Sequence, residues 1–302
     1  MKKVSLLALM PIILAGCGTK GLKIVVPTGA PAVAMAGLAT EEGFITDTDP
    51  SKILAMMVAG NADVAVLPTN VGVQAINKQG LPFKMLCTIT FGNFYVASTG
   101  HDDNGVMDET DYIVAFQQGA VPDKVFRYVH GASLDSAMHY VPSAQDAAKC
   151  LKLGKNPLDD NKFVDYVLIA EPALTTVQSS TPNVSVYEDL QSKYKEQSGG
   201  LILPQASVFV ANTVKSVNAV YKTIESSIKK MTAEPDQVAE LMNKVADPEV
   251  LFAVKPEVAV QVTKNGNRMG IDCKAASVIK DDINNFLSIF GVDGIKDESI
   301  AK

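Results

Sequence analysis

The sequence predicts an α/β protein made of two lobes, each a mainly parallel sheet flanked by helices. Short β-branched segments alternate with helix-favouring segments of about ten residues, which is typical of sheets covered on both faces. Two extended passages, near residues 90–100 and 200–210, separate the two units. The helices after residue 212 have no strands of their own, so we expect the chain to return to the first unit. The two passages would then form a hinge.

The first unit starts with a strand and continues through alternating helices and strands. We predict, in order, a strand at 22–26, a helix at 32–40, a helix from Asp49-Pro50-Ser51 to Gly60-Asn61, a strand at 64–67, a helix ending at Asn77, and two extended runs within 84–98 around Gly92-Asn93. The second helix has the clearest start, since proline is favoured in the first turn.

The second unit and the returning segment follow the same logic. We predict strands at 112–116, 163–169 and 184–187, helices at 133–139, 143–153 and 173–178, an extended run at 201–211, and helices starting at the N-cap Asn212 and spanning 235–245, 256–264 and 275–289. The predicted division is therefore 22–98 plus 206–302 for lobe 1 and 99–205 for lobe 2.

The first 16 residues have the pattern of a bacterial lipoprotein signal peptide. Lys2 and Lys3 precede an apolar run, and Leu14-Ala15-Gly16 places small residues just before Cys17. The apolar run is about a dozen residues, shorter than the roughly 20 that a membrane-spanning helix needs. We predict cleavage before Cys17, lipidation of Cys17, a tether at 17–21 and a location outside the cytoplasm, on the cell membrane.

Composition narrows the classes of partner. The formal net charge is −6 and there is no basic run, so nucleic acid is not an expected partner. Cys87, Cys150 and Cys273 show no metal-binding spacing, and we expect buried free thiols, although one disulfide is compatible with the compartment. No metal and no cofactor is predicted. Arg127 and Arg268 are the two arginines of the chain.

Four strand-to-helix turns are candidates for a binding site, because ligands gather at the carboxyl ends of parallel strands. Helix N-termini there offer N–H groups to an anion or a carbonyl oxygen, and glycine permits close approach of the backbone. The first extended passage, near residues 90–100, adds polar and aromatic side chains. The predicted ligand-binding residues are Thr28, Gly29, Ala30, Thr69, Asn70, Asn93, Phe94, Gln117, Gln118, Gly119 and Glu171.

Glu171 has two interpretations. A carboxylate at a strand end, followed by Pro172, can accept a hydrogen bond from a ligand amine or hydroxyl. It can equally serve the first turn of the next helix, where a negative charge complements the helix dipole. No catalytic residue is predicted: Ser133 and His130 lack a nucleophile elbow, and no pair of carboxylates forms an acid/base couple.

Two segments resemble type II periplasmic-binding-protein folds. Gly60-Asn61-Ala62-Asp63-Val64-Ala65 follows a helix and matches the pattern G-x-x-D-h-A, and the strand at 164–170 ends in Glu171-Pro172, as is common in the second lobe of that family. With the lipobox and Pro27-Thr28-Gly29-Ala30, the chain resembles substrate-binding lipoproteins of ABC importers, nearest to the nitrate/sulfonate/taurine and thiamine-precursor-binding family.

The resemblance implies a monomeric two-lobe clamp that closes on a small molecule and delivers it to an ABC permease with its ATPase. The ligand is left open among a sulfonate, a carboxylate and a heterocycle like a thiamine precursor, since no lysine lies in the proposed turns. The alternatives are an enzyme of the same fold, similar to thiamine-pyrimidine synthases or menaquinone-pathway dehydratases, and a surface sensor or adhesin. The lipobox argues against those enzymes, which work inside cells.

Overall fold

The protein is described by a computed structural model over residues 21–101 and 104–301. The strands are β1 Ile24–Pro27, β2 Phe44–Asp47, β3 Val64–Pro68, β4 Phe83–Thr90, β5 Phe94–Ser98, β6 Ile113–Phe116, β7 Met138–Val141, β8 Lys155–Asn156, β9 Lys162–Phe163, β10 Tyr166–Ala170, β11 Ser185–Asp189, β12 Ala206–Ala211 and β13 Ile271–Ala275. The predicted leader, Cys17 and residues 17–20 of the tether lie outside the described residues.

Twelve α-helices accompany these strands in the described ranges. They are α1 Ala30–Ala34, α2 Pro50–Val58, α3 Thr69–Gln79, α4 Val121–His130, α5 Ala144–Leu153, α6 Ala173–Gln178, α7 Leu190–Gln197, α8 Val217–Ala233, α9 Asp236–Met242, α10 Pro248–Phe252, α11 Pro256–Lys264 and α12 Lys280–Ile289. None of them combines the length and the apolar character that crossing a bilayer requires.

The strands form two main sheets, which confirms the α/β class. The first has six strands in the order β13-β4-β12-β3-β1-β2, and the second has five in the order β11-β5-β10-β6-β7. The sheets were predicted to be mainly parallel, but both are mixed. β12 pairs antiparallel with β3 and β4, and β5 pairs antiparallel with β10 and β11, while the β1–β2, β1–β3, β6–β7 and β6–β10 pairs are parallel.

The chain passes between the sheets twice, at residues 91–93 and at residues 198–205. The predicted division assigned residues up to 98 to the first lobe, whereas β5 pairs within the second sheet. The first passage is therefore the short segment Phe91-Gly92-Asn93, and it ends where β5 begins.

Some predicted elements differ from the structure. Residues 133–139 were expected to form a helix, but Met138–Val141 is a strand because it pairs in parallel with β6. Asn212 is not the N-cap of the following helix, which begins after Ser216. The helix expected at 275–289 begins only at Lys280, since Ile271–Ala275 adds an edge strand to the first sheet.

Local signals explain several helix boundaries. The side chain of Asp49 accepts a hydrogen bond from the Ser51 N–H at 2.8 Å, and Pro50 occupies the first helical position of α2, where its missing N–H costs nothing. Gly80 ends α3 in the left-handed conformation, with φ at 63°. Both causes lie within a few residues of the boundary; the start of α2 was predicted from them, whereas α3 was predicted to end at Asn77 and ends at Gln79.

The last helix packs into both lobes. Ile283 and Leu287 of α12 are buried in the core of the first lobe, whereas Phe286 is buried in the core of the second lobe with Tyr194 and Phe126. The Asn285 side chain also donates to the Tyr194 hydroxyl at 2.7 Å. The lobes are therefore joined by α12 as well as by the two passages.

Candidate functional site

The carboxyl edges of the two sheets meet at the first passage. In the first sheet, strand register places Pro68 opposite Ala206, and Thr90 opposite both Ala206 and Ile271. In the second sheet, Ala170 lies opposite Phe94, so Glu171 and Asn93 are neighbours. Asn93 Nδ2 donates to the Glu171 carbonyl at 2.8 Å, and the Glu171 N–H donates to the Asn93 carbonyl at 2.9 Å. The structure thus brings these two predicted residues together.

Glu171 is held by groups of its own chain. Its side chain is 0% exposed. One carboxylate oxygen, Oε2, accepts the Thr175 N–H at 3.0 Å, and the other, Oε1, accepts the Thr175 hydroxyl at 2.9 Å. The carboxylate therefore occupies the first turn of α6, as the second of the two interpretations expected.

Arg268 is the important residue that sequence reasoning missed. It lies in the loop between α11 and β13, and its Nη2 atom is 2.8 Å from Glu171 Oε1. The guanidinium lies over the Tyr95 ring at 4.9 Å from the centroid, and the Tyr95 hydroxyl donates to the Arg268 carbonyl at 3.3 Å. Burial is the main reason that the pKa of Tyr95 rises to about 12, so it stays a neutral donor. A loop of the first lobe is thus paired with the second lobe.

The remaining junctions use much of their backbone hydrogen-bonding capacity internally. The Thr28 N–H donates to the Asp47 carbonyl at 3.1 Å, and the Gly29 N–H donates to the Phe252 carbonyl at 2.9 Å. Ala30 is buried behind this turn. At this junction the first sheet offers a tightly held turn rather than a set of unused N–H groups.

Thr69 belongs to a buried chain of hydroxyl groups. Thr69 Oγ1 lies 2.6 Å from Ser207 Oγ, which lies 2.8 Å from Thr88 Oγ1. The Thr69 N–H donates to the Gln205 carbonyl at 3.0 Å. Because each hydroxyl has an internal partner, Thr69 fixes the start of α3 and positions the next residue, Asn70, at the edge of the sheet.

The second-lobe turn at 117–119 is exposed and preorganised by a buried carboxylate. Asp123 Oδ2 accepts the Gly119 N–H at 2.7 Å, and its Oδ1 accepts from the Tyr140 hydroxyl at 2.7 Å and from Arg127 Nε at 3.0 Å. Gln117 has a positive φ of 50°, and Gln118 is exposed beside it. The sequence did not point to Asp123, which sits two residues inside α4.

Phe94 faces the core of the second lobe and is 3% exposed. Its N–H donates to Gln191 Oε1 at 2.6 Å, and the Asn93 N–H donates to the same atom at 3.1 Å. The end of the first passage is therefore hydrogen-bonded to α7 through Gln191. Among the residues that the sequence singled out, Phe94 is one whose side chain the structure does not bring to the edge.

Unpartnered polar atoms concentrate at this edge. In the part of the chain that the structure describes, six buried side-chain polar atoms have no hydrogen-bond partner, and five belong to residues at the meeting of the two sheets: Asn70 Oδ1, Thr90 Oγ1, Asn93 Oδ1, Gln205 Oε1 and Arg268 Nη2. Arg268 Nη2 is close enough to Glu171 for an ion pair but lies outside the angles of a hydrogen bond. Since buried polar groups nearly always have partners, these atoms have hydrogen-bonding capacity that the protein itself does not use.

One surface depression lies away from this edge. It has a volume of about 430 Å³ and is lined by Asn77, Phe83, Asn212 and Lys296, among others. Phe83 pairs with Ala211 at the opposite ends of β4 and β12 from Thr90 and Ala206. Among the described residues, no group of three or more His, Cys, Asp or Glu side chains is placed to hold a metal ion.

No protein-family model matches the chain, and no curated protein matches its sequence. Solved structures do match its fold. An ABC transporter structure from Parabacteroides distasonis has a TM-score of 0.73 at 18% identity, covering 93% of this chain and 98% of that one. The periplasmic aliphatic sulphonate-binding protein SsuA of Escherichia coli has a TM-score of 0.64 at 11% identity, covering 93% and 92%.

The Candida albicans CA3427 gene product, described as having the generic periplasmic binding protein structural fold, has a TM-score of 0.55 at 11% identity, and each chain is covered to 92%. The architecture is therefore that of the periplasmic binding proteins, which confirms the resemblance at the level of the fold. Because sites are grafted onto folds, the binding chemistry has to come from this chain's own residues.

Proposed function

We propose that the protein is an extracytoplasmic solute-binding lipoprotein that captures a small organic molecule between its lobes and delivers it to an ABC permease. The observation that carries the proposal is the set of four buried side-chain oxygens without a hydrogen-bond partner, on Asn70, Thr90, Asn93 and Gln205, where the carboxyl edges of both sheets meet. Sites in open α/β sheets form at this position. In this fold, a ligand that contacts both lobes favours the closed state.

The division into lobes and the tether complete the proposal. Residues 17–21 would hold lobe 1 and lobe 2 near the membrane through lipid on Cys17, next to the permease and its ATPase. Replacing Cys17 with Ala tests the tether: we expect the variant in the soluble fraction and wild type in the membrane fraction. Equal partition of both proteins into membranes would contradict lipidation.

Binding without turnover is the central test. Freshly purified full-length protein is examined by native mass spectrometry for a retained small molecule, and the compound is then titrated back into the stripped protein. We expect saturable binding and a rise in stability of about 2.7 kcal/mol at 100 times Kd. Chemical conversion of the compound by the protein, or the complete lack of any retained or binding compound, would contradict the proposal.

A further inference from the structure

Helix N-termini at the carboxyl edge of the second sheet already carry carboxylates of this chain. Asp123 Oδ2 accepts the Gly119 N–H just before α4, and Glu171 Oε2 accepts the Thr175 N–H in α6. An anionic ligand is normally stabilised at such positions by the N–H groups and the helix dipole. Here these N–H groups already donate to two buried carboxylates, each of which is ion-paired with an arginine, so they are not free to stabilise an added anion.

The positive charge of Arg268 is also matched. Its guanidinium is 2.8 Å from Glu171 Oε1, so the two residues form a pair that is neutral overall. An anion placed against this pair would bring an uncompensated negative charge into a buried place, which is energetically costly.

The unpartnered atoms at the edge are mainly acceptors. Asn93 is 4% exposed, and the orientation of its amide is fixed because Nδ2 donates to the Glu171 carbonyl. Asn93 Oδ1 therefore needs a donor, and Thr90 Oγ1, which is completely buried, accepts one equally well. Asn70 and Gln205 each add an unpartnered amide oxygen beside them.

We infer that the ligand of this edge is an uncharged molecule that presents several N–H or O–H donors, and not an anion such as a sulfonate. Asn93 Oδ1 and Thr90 Oγ1 receive donors of the ligand, and the Glu171–Arg268 pair excludes an added negative charge. The inference rests on the proposed function and deepens it by giving the chemical class of the solute.

The first experiment identifies what the protein carries. Compounds are released by denaturing freshly purified full-length protein and analysed by mass spectrometry, and cytosine, myo-inositol, ethanesulfonate and nitrate are titrated into the stripped protein as probes. We expect an uncharged, donor-rich compound and, within the panel, binding of neutral probes only. Release or binding of a sulfonate, carboxylate or nitrate would overturn the inference while leaving the proposed function intact. If nothing is released and no probe binds, the proposed function fails and the inference fails with it.

The second experiment tests the two acceptors. The affinity of the released compound is measured for the variants Asn93→Ala and Thr90→Val, with Asn77→Ala as the matched control. Asn77 Oδ1 is the remaining one of the six buried atoms without a hydrogen-bond partner, and it lies towards the other end of α3 from Asn70. We expect roughly tenfold weaker binding for each edge variant and unchanged binding for the control. Thr90→Val nearly preserves the side-chain shape, so it remains informative if Asn93→Ala does not fold. Wild-type affinity in the folded edge variants would overturn the inference.

Discussion

Arg268 Nη2 lies 2.8 Å from Glu171 Oε1, and this ion pair joins a loop of the first lobe to the carboxyl edge of the second sheet. Glu171 is fully buried, while Arg268 keeps 21% of its side chain exposed. Removing the Arg268 side chain would leave the buried Glu171 carboxylate without its counter-charge. The ion pair therefore matters for the stability of the folded protein.

Replacing Arg268 with Ala should lower the free energy of unfolding by about 3 kcal/mol, because a buried carboxylate loses its counter-charge. Urea denaturation followed by circular dichroism measures the change. Lys264→Ala is the control, since Lys264 pairs with Asp236 at the surface and its loss should cost under about 1 kcal/mol. Adding Glu171→Gln to Arg268→Ala should recover part of the loss, and strictly additive losses in this cycle would argue against the pairing.

Gly270 packs against the first passage. A Cβ at this position would lie 2.5 Å from the Gly92 carbonyl oxygen, and φ is +62°. Gly266 in the same loop has a similar φ of +72°, but a Cβ there meets none of the described atoms within 4 Å. Gly266→Ala should cost about 1–2 kcal/mol for the backbone conformation alone, and Gly270→Ala should cost a further 1–3 kcal/mol or so. If thermal unfolding gave equal losses of stability for the two variants, the first passage would have to shift to make room for the added Cβ atom.

Phe286 should stabilise the second lobe although it belongs to the returning C-terminal segment. Phe286→Ala should lower the free energy of unfolding by about 3–5 kcal/mol, because it leaves a cavity in the second core. Hydrogen exchange should also show faster exchange in β6 and β10. Val278→Ala, at a side chain that is 77% exposed, should change stability by under about 0.5 kcal/mol. If the variant Phe286→Ala lost protection from hydrogen exchange only in the first sheet, the packing of Phe286 in the second core would be contradicted.

His139 should make the protein less stable in mild acid. Its ring stacks on Tyr112 with centroids 3.7 Å apart, and partial burial lowers its pKa from the usual 6.5. The unfolded state therefore takes up the proton first as the pH falls. This contribution to stability is complete above the unfolded pKa and is lost as the pH falls towards the folded pKa.

The comparison of wild type with His139→Phe, which keeps a stacked ring, measures this contribution. Between about pH 7.5 and about pH 5, wild type should lose more unfolding free energy than the variant. Parallel curves over this range would show that His139 has the same pKa in both states.

The sequence predicted those parts of the fold whose causes are local. The start of α2 follows from Asp49 and Pro50, and the strand end at Glu171 is visible from the adjacent Pro172. Met138 and His139 were wrongly assigned to a helix at 133–139, because so short a half-apolar stretch fits either a helix or a strand and only pairing with the distant β6 decides between them.

The sequence likewise pointed to only some residues of the candidate site. Asn70 and Glu171 were proposed because they follow strands, and Asn93 because it lies in the first passage. Arg268 lies between a helix and a strand and meets Glu171 only through the tertiary fold. The available signal in the sequence was that arginine is rare, since the chain has only two. Gln191 and Asp123 gave no signal, since their roles depend on which backbone N–H groups face them.

The embedding of α12 in both cores restricts how the halves of the molecule move. Two bodies joined by a flexible thread can rotate about three axes, but here Phe286 is fixed in one body, and Ile283 and Leu287 are fixed in the other. A change in the relative orientation of the two bodies therefore has to keep both sets of contacts or expose one of these buried side chains.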